Sequence, residues 1–302
     1  MAIKQLPLQL LFVEFTDREV SLNKIQLIAE VGVNHNGDIS LAKEMIHAAA
    51  ENGADYVKFQ SWQSSKFKTE LSKSGSFFGF KNQQDFFDSV QLTDDQHYHL
   101  MEACEKHNVK FLTTCFDRER VEFLSSLGSG AIKVASCDAT SETMIKELSA
   151  AFKDLIVSTG MSSRLEIEKL IKQLEDYGKD YYVLHCISMY PTPLEKINLE
   201  RFKMIKNSLG PHGMMGISDH SLGTTFPKVA VVLGAKIIEK HFTLDRKLPG
   251  PDNPMSINPE ELKSIRDFCD DFYLLGKDSV NDVYDEEKDL RNAILDRFGN
   301  NR

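Results

Sequence analysis

Four side chains set the chemistry this sequence could perform: Lys58, Lys133, His220 and His241. Each lysine lies in a short apolar run, Tyr56–Phe59 or Ala131–Val134. A buried amine is costly unless it meets an anion, so both imply an anionic partner. A Schiff-base role, or a plain buried lysine–glutamate pair, are the competing readings of either. His220 and His241 close two later runs, Met214–Ser218 and Ile237–His241, with Asp219 and Glu239 beside them. Two imidazoles on neighbouring strands could hold a divalent metal and leave positions open for water and substrate. Mixed nitrogen and oxygen ligands suit manganese, iron, cobalt or zinc better than magnesium. The competing reading of any single histidine is a hydrogen-bonded core residue.

Further capable groups end other apolar runs: Glu30, Gln60, Thr113, Thr114, Ser136, Ser158, His185 and Ser218. Three pairs, Lys58 with Gln60, Ser218 with His220 and Glu239 with His241, are spaced i, i+2, which puts both members on one side of a strand. Ser158-Thr-Gly-Met161 stands before a helical stretch, where hydroxyls and backbone N–H groups could cradle phosphate or carboxylate. Tyr190-Pro-Thr-Pro193 and Leu248-Pro-Gly-Pro-Asp252 are stiff loops that could aim Tyr190 and Asp252 at a polyol. Asn34-His-Asn-Gly37 reads as a tight turn or a ligand contact. Cys186 could reach a metal, although a buried, inert thiol is the simpler state. No glycine-rich dinucleotide fingerprint or P-loop is present.

The elements that must position these groups alternate regularly. The apolar runs are Ile25–Val31, Tyr56–Phe59, Val109–Thr113, Ala131–Val134, Leu155–Ser158, Tyr182–Cys186, Met214–Ser218 and Ile237–His241. Helical patterns follow them at Ser40–Asn52, Thr93–His107, Arg118–Leu127, Ser141–Ala150, Ser163–Tyr177, Asn198–Leu209, Thr224–Leu233 and Pro259–Leu275. Thr93…Gln96 and Ser163…Glu166 have the spacing of capping boxes. Continuous apolar strands fit a parallel sheet covered by helices. Eight strand–helix units predict an α/β fold, a (β/α)8 TIM barrel over residues 25–276, whose chemistry gathers at the C-terminal strand ends. Residues 1–24 read as an N-terminal extension with a β-hairpin (Leu8–Phe15, Glu19–Leu22, turn Thr16–Asp17). Residues 277–302 read as a C-terminal tail, helical from about Asp285 to Phe298. The loop of about 30 residues from Ser61 to Gln91 has the length of a lid or binding loop, with Trp62 packing it.

The balance of 41% hydrophobic and 27% charged residues is that of a soluble globular chain. A net charge of −9 disfavours nucleic acid and anionic membranes as partners. Five scattered cysteines without C-x-x-C spacing suit a reducing, cytoplasmic compartment. The apolar stretch Leu6 to Phe15 is too short to span a bilayer, and no small-residue cleavage site follows it.

The chain resembles the N-acetylneuraminate (sialic acid) synthase family. The resemblance rests on Ile28-Ala-Glu-Val-Gly-Val-Asn-His-Asn-Gly-Asp38, Gly53-Ala-Asp-Tyr-Val-Lys-Phe-Gln60, Lys133-Val-Ala-Ser136, Ser158-Thr-Gly-Met161, His185-Cys-Ile-Ser-Met-Tyr-Pro191, Gly216-Ile-Ser-Asp-His-Ser221, Ile238-Glu-Lys-His-Phe-Thr243 and Pro249-Gly-Pro-Asp252. It implies a transferase that condenses phosphoenolpyruvate with an N-acyl-mannosamine-type amino-sugar aldehyde, giving a sialic-type nonulosonic acid and phosphate. It implies a divalent metal on His220 and His241, usually Mn2+, with Mg2+ or Co2+ as alternatives. Lys58, Gln60, Thr114, Lys133, Ser136, Ser158, Ser188 and Ser218 are then expected to grip phosphoenolpyruvate. Glu30, Tyr190, Glu239 and Asp252 are expected to hold the sugar, with Glu30 or Asp138 guiding the attacking water. Many members carry Glu where this chain has Asp138. The family usually adds a C-terminal antifreeze-like domain that sends an arginine into the partner's site, and the tail here is too short for it. The acceptor is then a different sugar, or a homodimer or a separate chain completes the pocket. The alternatives are a related synthase using a phosphorylated aldose, with Lys66, Lys68, Lys73 and Lys81 for its distal phosphate, and a non-catalytic sugar-phosphate-binding barrel.

Overall fold

A computed structural model describes residues 24–66, 77, 79–275 and 283–298. The anticipated N-terminal hairpin lies outside the described residues, as does much of the loop after Trp62. Residues Lys24–Asp270 form one compact unit. In it, strands β1 (Gln26–Gly32), β2 (Tyr56–Ser61), β3 (Lys110–Cys115), β4 (Ala131–Val134), β5 (Asp154–Ser158), β6 (Tyr181–Cys186), β7 (Gly213–Asp219) and β8 (Ile237–His241) pair in parallel, in sequence order. The ring closes from β8 to β1, so the fold is a (β/α)8 barrel.

The helices follow amphipathic faces and explicit start signals. They are α1 (Ile39–Glu51), α2 (Gln83–Val90), α3 (Asp94–Lys106), α4 (Val121–Ser126), α5 (Glu142–Ala151), α6 (Arg164–Asp176), α7 (Leu199–Ser208), α8 (Thr225–Val232) and α9 (Pro259–Leu275). Both expected capping boxes form, Thr93 with Gln96 on α3 and Ser163 with Glu166 on α6. The stretch expected as one helix at Arg118–Leu127 splits into a 3-10 turn, Arg118–Arg120, and the short α4.

Helix α2 was not expected from the sequence. The Asn82 side chain caps it by accepting the Asp85 N–H, and Phe86 and Val90, one turn apart, bury its inner face. They pack with Val33 and Trp62, and Phe77, Phe80, Phe87 and Phe116 close around them. Trp62 therefore packs the long loop, as anticipated, onto the first two βα units.

The second unit contains α10 (Asp285–Phe298), the helix expected in the tail. Its first turn carries Asp285, Glu286 and Glu287 and its last turn Arg297, which suits the helix dipole at both ends.

Candidate active site

The barrel interior is built in two storeys, and strand alternation sets the step between them. The floor is apolar: Ile28, Tyr56, Leu112, Ala131, Ile156, Leu184 and Ile237 form one buried cluster. Gly216 completes this storey. A Cβ there would stand 2.4 Å from Ile237 Cγ2 and 2.5 Å from Leu184 Cδ2, so the neighbours already fill its space. Two residues further along every strand, the same inward direction meets a polar group. Glu30 follows Ile28, Lys58 follows Tyr56, Thr114 follows Leu112 and Lys133 follows Ala131. Ser158, Cys186, Ser218 and Glu239 complete the ring. All eight line one cavity of about 190 Å³ at the C-terminal strand ends.

Two amines stand on this floor. Lys58 Nζ donates to Thr114 Oγ1 at 2.8 Å and pairs with the Glu30 carboxylate, which also accepts from Gln60 Nε2 at 2.9 Å. Lys133 Nζ donates to Ser158 Oγ at 2.6 Å and to Val134 O at 2.9 Å. Glu239 is 3.9 Å from Lys58 and 3.8 Å from Lys133, and accepts from the Ser218 hydroxyl at 2.8 Å. Burial lifts Glu30 to about 7 against the pull of Lys58. Burial pushes Glu239 upward too, but Lys133 and Lys58 outweigh it and hold its carboxyl below the usual range. Burial also holds the Lys133 amine below its ordinary value, opposed by Glu239.

The two imidazoles sit one storey higher. His220 and His241 lie with ring centroids 5.5 Å apart, and the Tyr190 ring lies tilted against His220 at 4.2 Å. His220 Nδ1 is 2.9 Å from Ile187 O, which can only accept. That bond places a proton on Nδ1, so Nε2 is the nitrogen a metal would take. His241 Nδ1 is buried without a hydrogen-bond partner, 3.6 Å from Asp252 Oδ2. Burial holds His241 well below its ordinary pKa, hence neutral, and lifts Asp252 to about 6. At His220 burial is outweighed by the Cys186 thiol, which raises its value, so a metal there would displace a proton. With that proton gone the two imidazoles are a donor pair that fits a divalent cation. Among the described residues no group of three or more His, Cys, Asp or Glu could hold one. A cation on these two imidazoles would therefore keep positions for water and substrate oxygens.

Opposite the imidazoles, the β5 end forms a cradle. The Gly160 N–H donates to Ser136 Oγ at 3.0 Å. A Cβ on Gly160 would stand 2.3 Å from Ser188 Oγ and 2.8 Å from Ser136 Oγ, so the missing side chain is what lets these hydroxyls close in. Met161 adopts left-handed backbone (φ 62°), and Arg201 Nη2 holds Thr159 O and Ser162 O at 2.7 Å each.

Of the residues expected in the site, thirteen line this cavity: Glu30, Lys58, Gln60, Thr114, Lys133 and Ser136 on one side, and Ser158, Ser188, Tyr190, Ser218, His220, Glu239 and His241 on the other. Asp252 stands just behind His241. Asp138 is not in the lining; it lies half-buried on the 3-10 turn Ser136–Asp138, with the Cys137 thiol 3.4 Å from its Oδ2. Three further groups leave the site because their strand positions point outward. Thr113 donates to its neighbour's carbonyl. His185 is fully buried between Phe202 and Phe226, with Nε2 2.7 Å from Ile197 O. Asp219, expected beside the metal, pairs instead with Lys240. Asn34-His-Asn-Gly37 is a turn, with Gly37 at φ 79° donating its N–H to His35 Nδ1 at 3.0 Å. The lining also holds Met161, the last residue of the expected cradle, and Phe116, Ala135 and Cys137, for which the sequence reading gave no role; each lies within three residues after a strand end, the one signal available.

The NeuB family model matches residues 45–277. The chain belongs to the NeuB family. It is 38% identical over 250 residues to N,N'-diacetyllegionaminic acid synthase of Legionella pneumophila, covering 79% of this chain and 69% of that one. It is 34% identical over 259 residues to N-acetylneuraminate-9-phosphate synthase of Drosophila melanogaster, covering 84% and 69%. The crystal structure of the sialic acid synthetase of Leptospira borgpetersenii, in complex with citrate, superposes with a TM-score of 0.80 at 29% identity, over 92% of this chain and 93% of that one. This NeuB-family barrel is thus similar to synthases of sialic-type acids. No helix among its described residues is long and apolar enough to cross a membrane.

Proposed function

We propose that this chain condenses phosphoenolpyruvate with an N-acyl-mannosamine-type aldehyde, forming a nonulosonic acid and phosphate in the cytoplasm. One observation carries the reading: two buried amines share the Glu239 carboxylate in a cavity whose rim holds two adjacent imidazoles. The names of the relatives support it.

Phosphoenolpyruvate brings two anionic groups, and Lys58, Lys133 and the Gly160 cradle with Ser136 and Ser188 are the donors positioned to take them. The aldehyde sits toward His220, His241 and Tyr190, with Asp252 and Glu239 accepting from its hydroxyls. His220 and His241 would hold a divalent cation, manganese in our reading, which would supply Lewis-acid chemistry at the aldehyde end of the cavity. Carbon three of phosphoenolpyruvate forms the new bond to the aldehyde carbon. Water adds at carbon two, and the bond from that carbon to the phosphate oxygen breaks. Holding both partners in one walled cavity supplies much of the rate, because carbon three is a weak nucleophile. Glu30 is the carboxylate placed to take the water's proton: it lines the cavity and is held near 7, whereas Asp138 lies outside the lining.

Incubation with phosphoenolpyruvate, Mn2+ and a panel of N-acyl hexosamines and phosphorylated aldoses, read by phosphate release and product mass, tests the reading. A product mass equal to the aldose plus pyruvate is expected. Absence of product from every acceptor overturns it. Lys66, a candidate for a distal phosphate, is engaged by Glu119 at 3.0 Å, and Lys68 and Lys73 lie outside the described residues.

A further inference from the structure

Behind the two imidazoles, on the outer face of the strands that present them, lies a buried ion pair that the cavity never touches. Asp219 and Lys240 are register partners across β7 and β8, one step beyond Ser218 and Glu239, which face the cavity. Alternation therefore turns them outward, under the helices. Lys240 Nζ stands 2.7 Å from Asp219 Oδ2 and donates to Ser221 O at 2.6 Å. Asp219 in turn accepts the Ser221 N–H at 2.8 Å and the Ser221 hydroxyl at 3.0 Å. The two side chains are 0% and 2% exposed.

The preceding outward register pair on these strands is Ile217 with Ile238. An apolar pair would suit the 219–240 position too, since a buried ion pair is often no more stabilising than apolar residues of similar volume. What charge and directional hydrogen bonds add is a fixed geometry. The network flanks His220 on both sides, through Asp219 and Ser221, and immediately precedes His241 through Lys240. The backbone carbonyl of His220 is also tied, accepting the Thr192 N–H at 2.9 Å.

We infer that Asp219 and Lys240 are positioning residues for the metal: their bridge sets how His220 and His241 present their nitrogens to one cation, and so sets the affinity of the site. This rests on the metal reading proposed above. Among the described residues no third His, Cys, Asp or Glu joins the two imidazoles to correct a misplaced pair. Outer residues that orient metal ligands commonly alter affinity by 10–100-fold when lost.

The test uses the full chain, with Mn2+ titrated by calorimetry and Co2+ absorption bands reporting coordination. The double variant Asp219→Leu/Lys240→Met replaces the bridge with an apolar pair. It is expected to keep its circular dichroism and bind phosphoenolpyruvate in the absence of metal within about twofold of wild type. Its Mn2+ affinity is expected to fall at least about tenfold, with altered Co2+ bands. If the double variant fails to fold, Asp219→Asn, whose Oδ1 can still accept the Ser221 N–H, carries the same readout with a smaller loss of affinity. A folded variant with unchanged affinity and unchanged Co2+ bands overturns the positioning role and leaves the metal reading standing. Wild-type protein that takes up neither metal overturns both.

Discussion

Glu239 places its carboxylate between two buried amines, with Oε2 3.9 Å from Lys58 Nζ and Oε1 3.8 Å from Lys133 Nζ. Both separations are longer than a hydrogen bond. Lys58 is paired directly with Glu30, so Glu239 acts as a second, shared counter-ion to both amines that an incoming anion can supplement.

Replacing Glu239 with glutamine keeps the shape and removes the charge. The two ammonium groups then lack their shared partner, which is costly at this depth. The variant is expected to melt at a lower temperature, and inorganic phosphate is expected to raise its midpoint more than it raises that of wild type. Synthase activity is expected to fall by about 100-fold or more, on the order of 3 kcal/mol in the barrier. Thermal melts with and without phosphate check this; equal phosphate responses would refute the counter-ion role.

Gly160 tests the cradle. A methyl group there would collide with the Ser188 and Ser136 hydroxyls, which are side-chain tips that can rotate away. Gly160→Ala is therefore expected to fold with a nearly unchanged melting point, but to raise the KM for phosphoenolpyruvate by about tenfold, roughly 1.4 kcal/mol. Steady-state kinetics with a fixed aldose decide it; a KM within twofold of wild type counts against the cradle.

Much of this site was legible because strands impose a period of two. Once Lys58 faces inward, Tyr56 and Gln60 must as well, and the apolar floor beneath the polar ring follows from counting back two residues on each strand. The same counting excludes His185, since Leu184 and Cys186 take the inward positions. Asp219 falls by the same rule, because its neighbour Ser218 faces in. Helix α2 was hidden by a loop of irregular composition, although Asn82 capping Asp85, with Phe86 and Val90 one turn apart, was a usable signal. The Lys240–Asp219 bridge was invisible, because pairing across two strands depends on barrel register that one sequence does not contain.

Three buried imidazoles set the acid limit of stability. Burial lowers His35, His97 and His185 to about 4 from an ordinary 6.5. Between those values the unfolded chain binds protons that the folded chain refuses, so stability falls as pH drops from about 6.5 to about 4. Each imidazole costs up to about 3 kcal/mol at the lower end. At His35 protonation would also break a bond, since its Nδ1 accepts the Gly37 N–H. Denaturant melts across this range are expected to show a rising unfolded fraction, and His185→Phe is expected to flatten the slope. A slope unchanged in that variant would remove His185 from the account.

Glu30 makes the sharpest kinetic prediction. A base must be ionised to accept the water's proton, and burial holds this carboxyl near 7. The rate is therefore expected to rise with pH through an acid limb near 7. Glu30→Gln keeps an acceptor for Gln60 Nε2 while abolishing the base, so kcat is expected to drop by about 100-fold or more. The residual activity should also lose its acid limb. If the variant retains a limb at the same pH, another group supplies the base. Asp138, on its turn beside Cys137, is then the carboxylate to replace next, and a loss of the limb in Asp138→Asn would transfer the role to it.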